Sequence, residues 1–461
     1  MELDLLVIGS GPSGQKAAIQ ASKLGKRVAV AERKERLGGV SIHTGTIPSK
    51  TLREAVLDVL AQRPLDVLDP TRIEETEQVT LHQLMDRASR VIAAETAVVR
   101  EQFRRNRVGL LPGQATFVDD HTLSISGSDE PIHAERIIIA VGTRPARPGT
   151  VDFDDRTIID SDGVLKLEHR VPRTMTVVGA GVIGVEYASM FTALGVRVTL
   201  IEQRPTILDF VDHEIVESLT YCMRQRGTVF RLGEKVVSVR IAENGRVIAE
   251  LESGKQVSGD TLLYAVGRQT NADLLDLGTV NLAADPRGRI PVDQNFRTSV
   301  DHIYAAGDVI GFPALASTSM EQGRLAVSHM FGHMHQYRPE LLPYGIYTVP
   351  EISMVGRTEQ ELTARKIPYE FGIARYSELA KSQMLGADVG LLKVLFDPRS
   401  LRVLGVHAIG DHATEVIHIG QAVLSFEGTM EYFRDTVFNY PTLAEAYKVA
   451  GLDGLNKVGA V

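Results

Sequence analysis

Two glycine-rich segments of this 461-residue chain have the spacing of phosphate-binding turns. Residues 9–14 follow the apolar run 5–8, and residues 179–184 follow the apolar run 175–178. In a G-x-G-x-x-G turn the first glycine permits a sharp bend, the second lets a pyrophosphate approach the backbone, and the third lets helix and strand pack closely. Each segment therefore predicts a dinucleotide-binding βα unit, whose glycines are Gly9, Gly11 and Gly14 in the first and Gly179, Gly181 and Gly184 in the second.

Each unit also carries an acidic residue at the same offset from its last glycine. Glu32 lies 18 residues after Gly14, and Glu202 lies 18 residues after Gly184. A carboxylate at this place accepts hydrogen bonds from an adenosine ribose, which favours NAD(H). Arg204 could instead attract the 2′-phosphate of NADP(H), or it could be an exposed turn residue, so the nucleotide preference stays open at this point.

Composition excludes several classes of protein. The formal charge of −8 and the pI near 5.9 argue against nucleic acid or an anionic membrane surface as a partner. Cys222 is the only cysteine, so no intramolecular disulfide can form, and His407, His412 and His418 lack the spacing of a metal set; we predict no metal. Neither a signal segment nor an apolar run of about 20 residues is present, which favours a cytoplasmic protein.

The segments between these units predict the rest of the architecture. Residues 58–80 are polar and acidic and read as a surface excursion, and residues 81–105 read as a helix. Short strands are predicted between residues 110 and 139, and the prolines and glycine of residues 145–149 predict a linker. We expect an α/β fold with two Rossmann-like domains, followed from about residue 344 by strands and helices without a nucleotide motif.

Two further segments resemble the flavoprotein disulfide reductases that contain two dinucleotide-binding domains. Residues 38–50 resemble the family segment G-G-x-C-x-x-x-x-C-x-P-x-K, with Ser41 and Thr46 in place of the redox cysteines. Residues 440–445 resemble the family segment His-Pro-Thr-x-x-Glu, with Tyr440 in place of the histidine base. A tyrosine, with a pKa of about 10, is a poor proton shuttle near neutrality. Thiols and thiol base are thus absent together, which predicts that disulfide chemistry is not performed.

The resemblance implies a domain organisation and an assembly. An FAD-binding domain would comprise residues 1–148 and 276–342, and an NAD(P)-binding domain would comprise residues 149–275. Residues 343–461 would form an α+β dimerisation domain, through which two chains assemble into a homodimer.

The resemblance also implies roles for individual residues. Lys50 would lie at the N5 edge of the flavin and pair with Glu186; Tyr440, Glu445 and His43 complete the candidate catalytic set, although His43 could equally be a hydrogen-bonded loop residue. The residues expected to contact FAD are Gly9, Gly11, Gly14, Glu32, Thr46, Lys50, Gly142 and Asp308. Those expected to contact NAD(H) or NADP(H) are Gly179, Gly181, Gly184, Glu202, Arg204 and Gly267.

Within that family the soluble pyridine nucleotide transhydrogenases share residues 45–50, 345–353 and 438–442 with this sequence. Membership would imply ping-pong hydride transfer between NAD(P)H and NAD(P)⁺ through FAD, without a disulfide. An NAD(P)H:quinone reductase or diaphorase is an alternative, because a flavin without the dithiol could donate to a quinone. A flavin-binding protein that senses redox state is the alternative from another class.

Overall fold

Apolar strands alternate with helices along most of the chain. The computed structural model describes residues 2–61, 81–167, 171–333, 338–387 and 389–460. The strands are β1 (Glu2–Leu3), β2 (Leu5–Ile8), β3 (Val28–Glu32), β4 (Gly109–Pro112), β5 (Ala115–Phe117), β6 (Thr122–Ile125), β7 (Ile132–Ala134), β8 (Ile137–Ile139), β9 (Thr143–Pro145), β10 (Ile158–Ile159), β11 (Thr174–Val178), β12 (Arg197–Glu202), β13 (Val229–Leu232), β14 (Val236–Ile241), β15 (Val247–Leu251), β16 (Gln256–Gly259), β17 (Thr261–Tyr264), β18 (Arg268–Thr270), β19 (Ile303–Ala305), β20 (Tyr344–Ile346), β21 (Ile352–Gly356), β22 (Glu370–Arg375), β23 (Leu391–Phe396) and β24 (Val403–Ile409). The α-helices are α1 (Pro12–Lys23), α2 (Gly39–His43), α3 (Thr46–Ala61), α4 (Leu81–Arg105), α5 (Ser161–Val164), α6 (Val182–Ala193), α7 (His213–Gln225), α8 (Ala316–Met330), α9 (Glu359–Ala364), α10 (Ala380–Leu385), α11 (Ala413–Ser425), α12 (Met430–Asp435) and α13 (Glu445–Val458).

The first glycine unit lies in a parallel five-stranded sheet with the order β4-β3-β2-β8-β19. Strands β2, β3, β8 and β19 are apolar and buried on both faces, as parallel strands covered by helices must be, whereas the edge strand β4 is mostly exposed. Val7 is opposite Val30 and Ile138, so the strand that leads into the glycine turn is central in the sheet. Helix α8 packs so closely on α1 that a Cβ added at Gly323 would lie 2.1 Å from the Ser13 carbonyl oxygen.

The second glycine unit repeats this arrangement in the parallel sheet β13-β12-β11-β17-β10. Val177 is opposite Leu200 and Leu263, in the same central position as Val7 of the first unit. Helix α6 differs from α1 because nearly all of its residues are buried. It packs between its own sheet and apolar residues of α3, such as Leu52 and Val56, which explains why it lacks a polar face.

The C-terminal part forms an antiparallel sheet with the order β20-β21-β24-β23-β22, covered by α11 and α13. Strand β23 is buried along its whole length, including Lys393. Ile346, Val349 and Ile352, in and around β20 and β21, join the same apolar cluster as α6, so this sheet is continuous with the core of the second unit. No helix among the described residues combines the length and apolarity needed to cross a membrane.

Two expectations about the segment between the glycine units have different outcomes. The predicted helix at residues 81–105 is α4. The predicted excursion at residues 58–80 was wrong at its start, because α3 continues to Ala61. Leu57 and Leu60 pack against the core there, and this contact extends the helix into a segment that charge and proline suggested was irregular. Residues 62–80 lie outside the described part of the chain.

Candidate functional site

Both glycine turns open onto one cavity of about 710 Å³. Its wall combines residues of the first unit, the second unit and the segment around β20, so three parts of the fold meet there. The predicted site residues that line it are Gly9, Gly11, Glu32, Thr46, Lys50, Gly142, Gly181, Glu186, Gly267 and Asp308. The predicted site residues outside its lining are Gly14, His43, Gly179, Gly184, Glu202, Arg204, Tyr440 and Glu445.

Glycine serves a different structural purpose at each of the three glycine positions in the two turns. Gly9 and Gly179 have φ values of +105° and +98°, a region that residues with a side chain rarely adopt. A Cβ at Gly14 or Gly184 would lie 1.9 Å from the carbonyl oxygen of the turn's first glycine. A Cβ at Gly11 would meet nothing within 4 Å. The first and third glycines are thus required by the backbone conformation and by close packing, and the middle glycine leaves open space at the cavity wall.

Glu32 ends β3 and is held by donors that carry no charge. Its Oε2 accepts hydrogen bonds from the Ser10 backbone N–H at 3.0 Å and from Ser10 Oγ at 2.6 Å. Its Oε1 accepts from the Lys34 backbone N–H at 2.9 Å. The carboxylate is therefore oriented toward the cavity without being neutralised.

Glu202 ends β12 in the corresponding position, but a cation covers it. Its Oε2 accepts from the Ala180 backbone N–H at 2.7 Å and from Arg204 Nη2 at 3.1 Å, and its Oε1 accepts from the Arg204 backbone N–H at 3.0 Å and from Nε at 3.1 Å. Burial opposes ionisation, but the hydrogen bonds from Arg204 and Ala180 outweigh it and lower the pKa of Glu202. The second unit therefore contains an ionised carboxylate whose negative charge is compensated by the Arg204 guanidinium.

Lys50 and Glu186 meet inside the cavity, where they join two helices that are 136 residues apart in the sequence. Lys50 Nζ lies 2.7 Å from Glu186 Oε2, and the Glu186 side chain is only 5% exposed. Glu186 Oε1 also accepts a hydrogen bond from the Tyr347 backbone N–H at 2.8 Å. The ring centroid of Tyr347 is 4.8 Å from Lys50 Nζ. The lysine, on α3, is thus a fixed cation at the cavity wall, contacted by α6 and the C-terminal part.

Asp308 is positioned by hydroxyl groups from two sides. Thr143 Oγ1 donates to Asp308 Oδ2 at 3.2 Å, and Ser319 Oγ donates to Oδ1 at 3.3 Å. Arg268, on β18, donates from Nε to Thr143 Oγ1 at 2.7 Å. This chain of hydrogen bonds runs from the second unit to the first along one wall of the cavity.

Several cavity residues were missed by the sequence prediction. Tyr344, Tyr347, Arg268 and Asp162 all line the wall. Burial, with Glu186 and Asp308 nearby, raises the pKa of Tyr344 to about 12, so its hydroxyl keeps its proton at neutral pH. The two tyrosines lie within or beside residues 345–353, a segment shared with a subfamily; that match was the signal that could have identified them.

Thr46 and His43 belong to the segment where the family keeps its redox pair. Thr46 begins α3 and lines the cavity, as does Ser41. The His43 ring instead faces the backbone, with Nε2–H donating to the Leu37 carbonyl at 2.7 Å. The hydrogen bond is the one expected by the alternative interpretation of His43, but the residue is the last of helix α2 and does not lie in a loop.

Tyr440 and Glu445 lie near the start of α13, away from the cavity lining of the single chain. Tyr440 is 71% exposed, and Glu445 is the first residue of the helix. Cys222 is buried on α7, and burial raises the pKa of its thiol, so it behaves as a packing residue.

Two groups of acidic and histidine side chains come together elsewhere among the described residues. Asp212, Glu214 and Glu359 surround the Lys393 ammonium, which occupies the point where their oxygens converge. Asp120, His121 and His302 also approach one another. The two imidazoles stack at 3.9 Å with an angle of 12°, however, and rings stacked in this way do not direct their lone pairs at one point.

Comparison with known proteins agrees with this architecture. The family model described as "Pyridine nucleotide-disulphide oxidoreductase" matches residues 3–323, and the model of the family's dimerisation domain matches residues 342–450. A soluble pyridine nucleotide transhydrogenase of Mycobacterium bovis (strain BCG / Pasteur 1173P2) is 52% identical over 465 residues, covering 100% of this chain and 98% of the relative. One of Marinomonas sp. (strain MWYL1) is 44% identical, with 99% and 98% covered.

A solved structure extends the match to three dimensions. The HOCl-induced flavoprotein disulfide reductase RclA from Escherichia coli superposes with a TM-score of 0.87 at 26% identity, covering 97% of this chain and 99% of that one. The predicted fold class is confirmed by this match and by the two family models. The two glycine units, the shared cavity and these full-length matches lead to one conclusion: the chain belongs to the pyridine nucleotide-disulphide oxidoreductase family.

Proposed function

We propose that the protein is an FAD-dependent soluble NAD(P)⁺ transhydrogenase, which moves a hydride between NADPH or NADH and NAD⁺ or NADP⁺ in a ping-pong cycle. The observation that carries this proposal is the ion pair between Lys50 and the buried Glu186 at the junction of both dinucleotide units, in a chain with a single cysteine. The names of the full-length relatives support the same activity.

The open glycine positions and the polar atoms of the cavity fit FAD. Gly11 and Gly142 leave open space where a Cβ would otherwise stand. Ser13 Oγ and Asp162 Oδ1 are buried at the wall with no hydrogen-bond partner among the described residues, which is typical of atoms that await a polar ligand. Glu32 would hold the adenosine ribose and Asp308 the ribityl chain, while the N-terminus of α1 would face the pyrophosphate.

The residues around Lys50 have a distinct task in this proposal. Bound FAD supplies a group that accepts a hydride from one nicotinamide and returns it to another. Glu186 fixes the Lys50 ammonium, and the Tyr347 backbone fixes Glu186, so a positive charge is preorganised where negative charge would develop. Gly181 and Glu202 would bind the nicotinamide nucleotide on the second unit.

The domain division and the assembly are part of the proposal. Residues 1–148 with 276–342 would hold FAD, residues 149–275 the nicotinamide nucleotide, and residues 343–461 would pair two chains in the cytoplasm. Phe426 and Val437 are 87% and 92% exposed in the single chain, and covering them in a homodimer would bury apolar surface. Tyr440 would then meet the partner near its cavity.

Anaerobic half-reactions test the proposed function with the flavin-loaded protein. NADPH is expected to bleach the flavin absorbance, and a thio-analogue of NAD⁺ to restore it. Lys50→Met is expected to slow bleaching by about tenfold to a hundredfold, because a preorganised charge is lost. Lys23→Met removes an exposed lysine at the end of α1 and is expected to leave the rate unchanged.

The alternatives give different results in the same experiment. Fast reoxidation by a quinone with negligible reoxidation by the NAD⁺ analogue would replace the transhydrogenase with a quinone reductase. A flavin that stoichiometric NADH and NADPH both fail to bleach would indicate a redox-sensing binding protein.

A further inference from the structure

Arg204 in the second unit is bound by two acids, one of which was not among the predicted site residues. Its Nε and Nη2 donate to Glu202, and its Nη1 donates to Asp209 Oδ1 at 2.8 Å. The Glu202 side chain is 6% exposed, whereas the side chains of Arg204 and Asp209 are 38% and 53% exposed. Arg204 and Asp209 are therefore accessible to solvent at the edge of the unit.

The hydrogen bonds of Glu202 determine what a nucleotide must displace. A carboxylate offers about four acceptor positions. Glu202 uses four: two for the backbone N–H groups of Ala180 and Arg204, and two for the Arg204 guanidinium. A ribose 2′-hydroxyl can therefore bind Glu202 only after the guanidinium turns away, and Asp209 can retain the guanidinium once it has turned.

A 2′-phosphate makes a larger demand on the same residues. It would be repelled by Glu202 and would need Arg204 as a charge-assisted donor. Glu202 and Asp209 already engage three of the five guanidinium N–H groups, so the side chain would have to turn toward the phosphate. Asp209 opposes this step in two ways, because it competes for Nη1 and because it adds a negative charge beside the phosphate.

The backbone around this group is fixed, so the adjustment falls on side chains. The Gly233 N–H donates to the Arg204 carbonyl at 3.0 Å, and the Leu208 N–H donates to the Ala180 carbonyl at 3.4 Å. Ile207 and Leu208 are buried in the core between Arg204 and Asp209. Rotation of the Arg204 side chain is thus the available movement.

We propose that Asp209 is a specificity-determining residue, which retains Arg204 and thereby disfavours NADP(H) relative to NAD(H) at the second unit. This inference rests on the proposed function, in which that unit binds the nicotinamide nucleotide. It predicts that both nucleotides bind and that Asp209 sets the ratio of their affinities.

Calorimetric titration of the flavin-loaded protein tests this without turnover. The probes are AMP and adenosine 2′,5′-bisphosphate, which differ only in the 2′-phosphate. Asp209→Asn is expected to tighten binding of the bisphosphate by about threefold to tenfold, the range for loss of one exposed ion pair and one repulsive charge. Binding of AMP is expected to change less than about twofold by the same reasoning. Glu243→Gln, which removes an exposed charge from the β14–β15 hairpin of the same unit, serves as the matched control.

A second variant separates the role of Arg204 from a general charge effect. In Asp209→Asn combined with Arg204→Met, the gain for the bisphosphate is expected to disappear. Equal binding of the bisphosphate by the wild type and Asp209→Asn would overturn the inference and leave the transhydrogenase proposal intact. Failure of both probes to bind would count against the inference and also against nucleotide binding by the second unit.

Discussion

The two dinucleotide units have the same backbone design and opposite electrostatic states. In the first, Glu32 receives hydrogen bonds from Ser10 and a backbone amide, so its negative charge faces the cavity uncompensated. In the second, Glu202 is covered by the Arg204 guanidinium. The two units therefore share the glycine pattern and the acid's offset but differ in the neighbours of that acid, which on our proposal set the nucleotide preference.

The difference begins at a single position of each turn. Ser10 and Ala180 both follow the first glycine, and both are fully buried. The serine hydroxyl donates to Glu32, while alanine has no side-chain donor and leaves Glu202 to Arg204. On the proposed function, the first unit keeps FAD and the second exchanges nicotinamide nucleotides, and the two units hold the corresponding carboxylate with different partners.

The largest expected effect concerns the link between the second unit and the C-terminal sheet. Lys393 Nζ lies 3.0 Å from Asp212 Oδ1, and both side chains are fully buried. Lys393→Met should lower the free energy of unfolding by about 3–5 kcal/mol, because Asp212 is left as an uncompensated buried charge. Lys457→Met is the control, since Lys457 is near the same Phe371 ring but more exposed; a loss below about 1 kcal/mol is expected.

The pH dependence of that loss follows from the two pKa shifts. Burial opposes the charge of Asp212, but His407 and Lys393 outweigh it and lower its pKa. Burial likewise opposes the charge of Lys393, but Glu359 and Asp212 raise its pKa. The contribution of Asp212 to stability is present above its unfolded-state pKa of about 3.9 and is lost as the pH falls through its lowered folded-state pKa. The contribution of Lys393 is present below its unfolded-state pKa of about 10.4 and is lost as the pH rises through its raised folded-state pKa. Burial lowers the pKa of His407, which faces the same pair and also feels Lys393, so the deficit can vary below about pH 7. Urea unfolding should show a constant deficit from about pH 7.5 to 9; a deficit that varies across this window would contradict the assignment.

The next largest expected effect comes from substituting the third glycine of each turn, and the ligand whose binding is lost should differ between the two units. Gly14→Ala and Gly184→Ala each place a Cβ 1.9 Å from a carbonyl oxygen, a conflict of about 3 kcal/mol that only a backbone shift relieves. We expect Gly14→Ala to lose bound flavin, measured by absorbance of the purified protein, and Gly184→Ala to retain flavin but lose NADH binding. Gly149→Ala, at an exposed glycine with open space around it, should change neither. Loss of flavin in both variants would show that the units are not independent.

The smallest effect makes the first unit resemble the second. Ser10→Ala removes the 2.6 Å hydrogen bond to Glu32 and the acceptor of the Gly38 backbone N–H. A loss of about 2 kcal/mol is expected, the range for a hydrogen bond to a charged group, and flavin dissociation should become faster. Ser124→Ala, at an exposed serine on β6, is the control. Unchanged flavin retention would show that Ser10 does not position Glu32 for binding.

The features that could be predicted from the sequence are those that depend on a local residue pattern. The glycine turns, Glu32 and Glu202 follow from spacing within about 25 residues, and Lys50 and Glu186 could be matched to family segments. Lys393 could not be anticipated, because a lysine in an apolar strand reads as an outward-facing residue; its partner Asp212 is 181 residues away. The contacts of Tyr347 with Glu186 and of Arg268 with Thr143 likewise arise only when distant elements pack.

Helix α6 has a consequence for how nucleotides exchange. Because nearly all its residues are covered by its own sheet and by α3, swinging the second unit away from the first would expose apolar surface to water on several sides at once. We therefore expect the two units to behave as one rigid body during turnover. Binding and release would then depend on rotation of side chains at the mouth of the cavity, which occurs far faster than a hinge motion between domains.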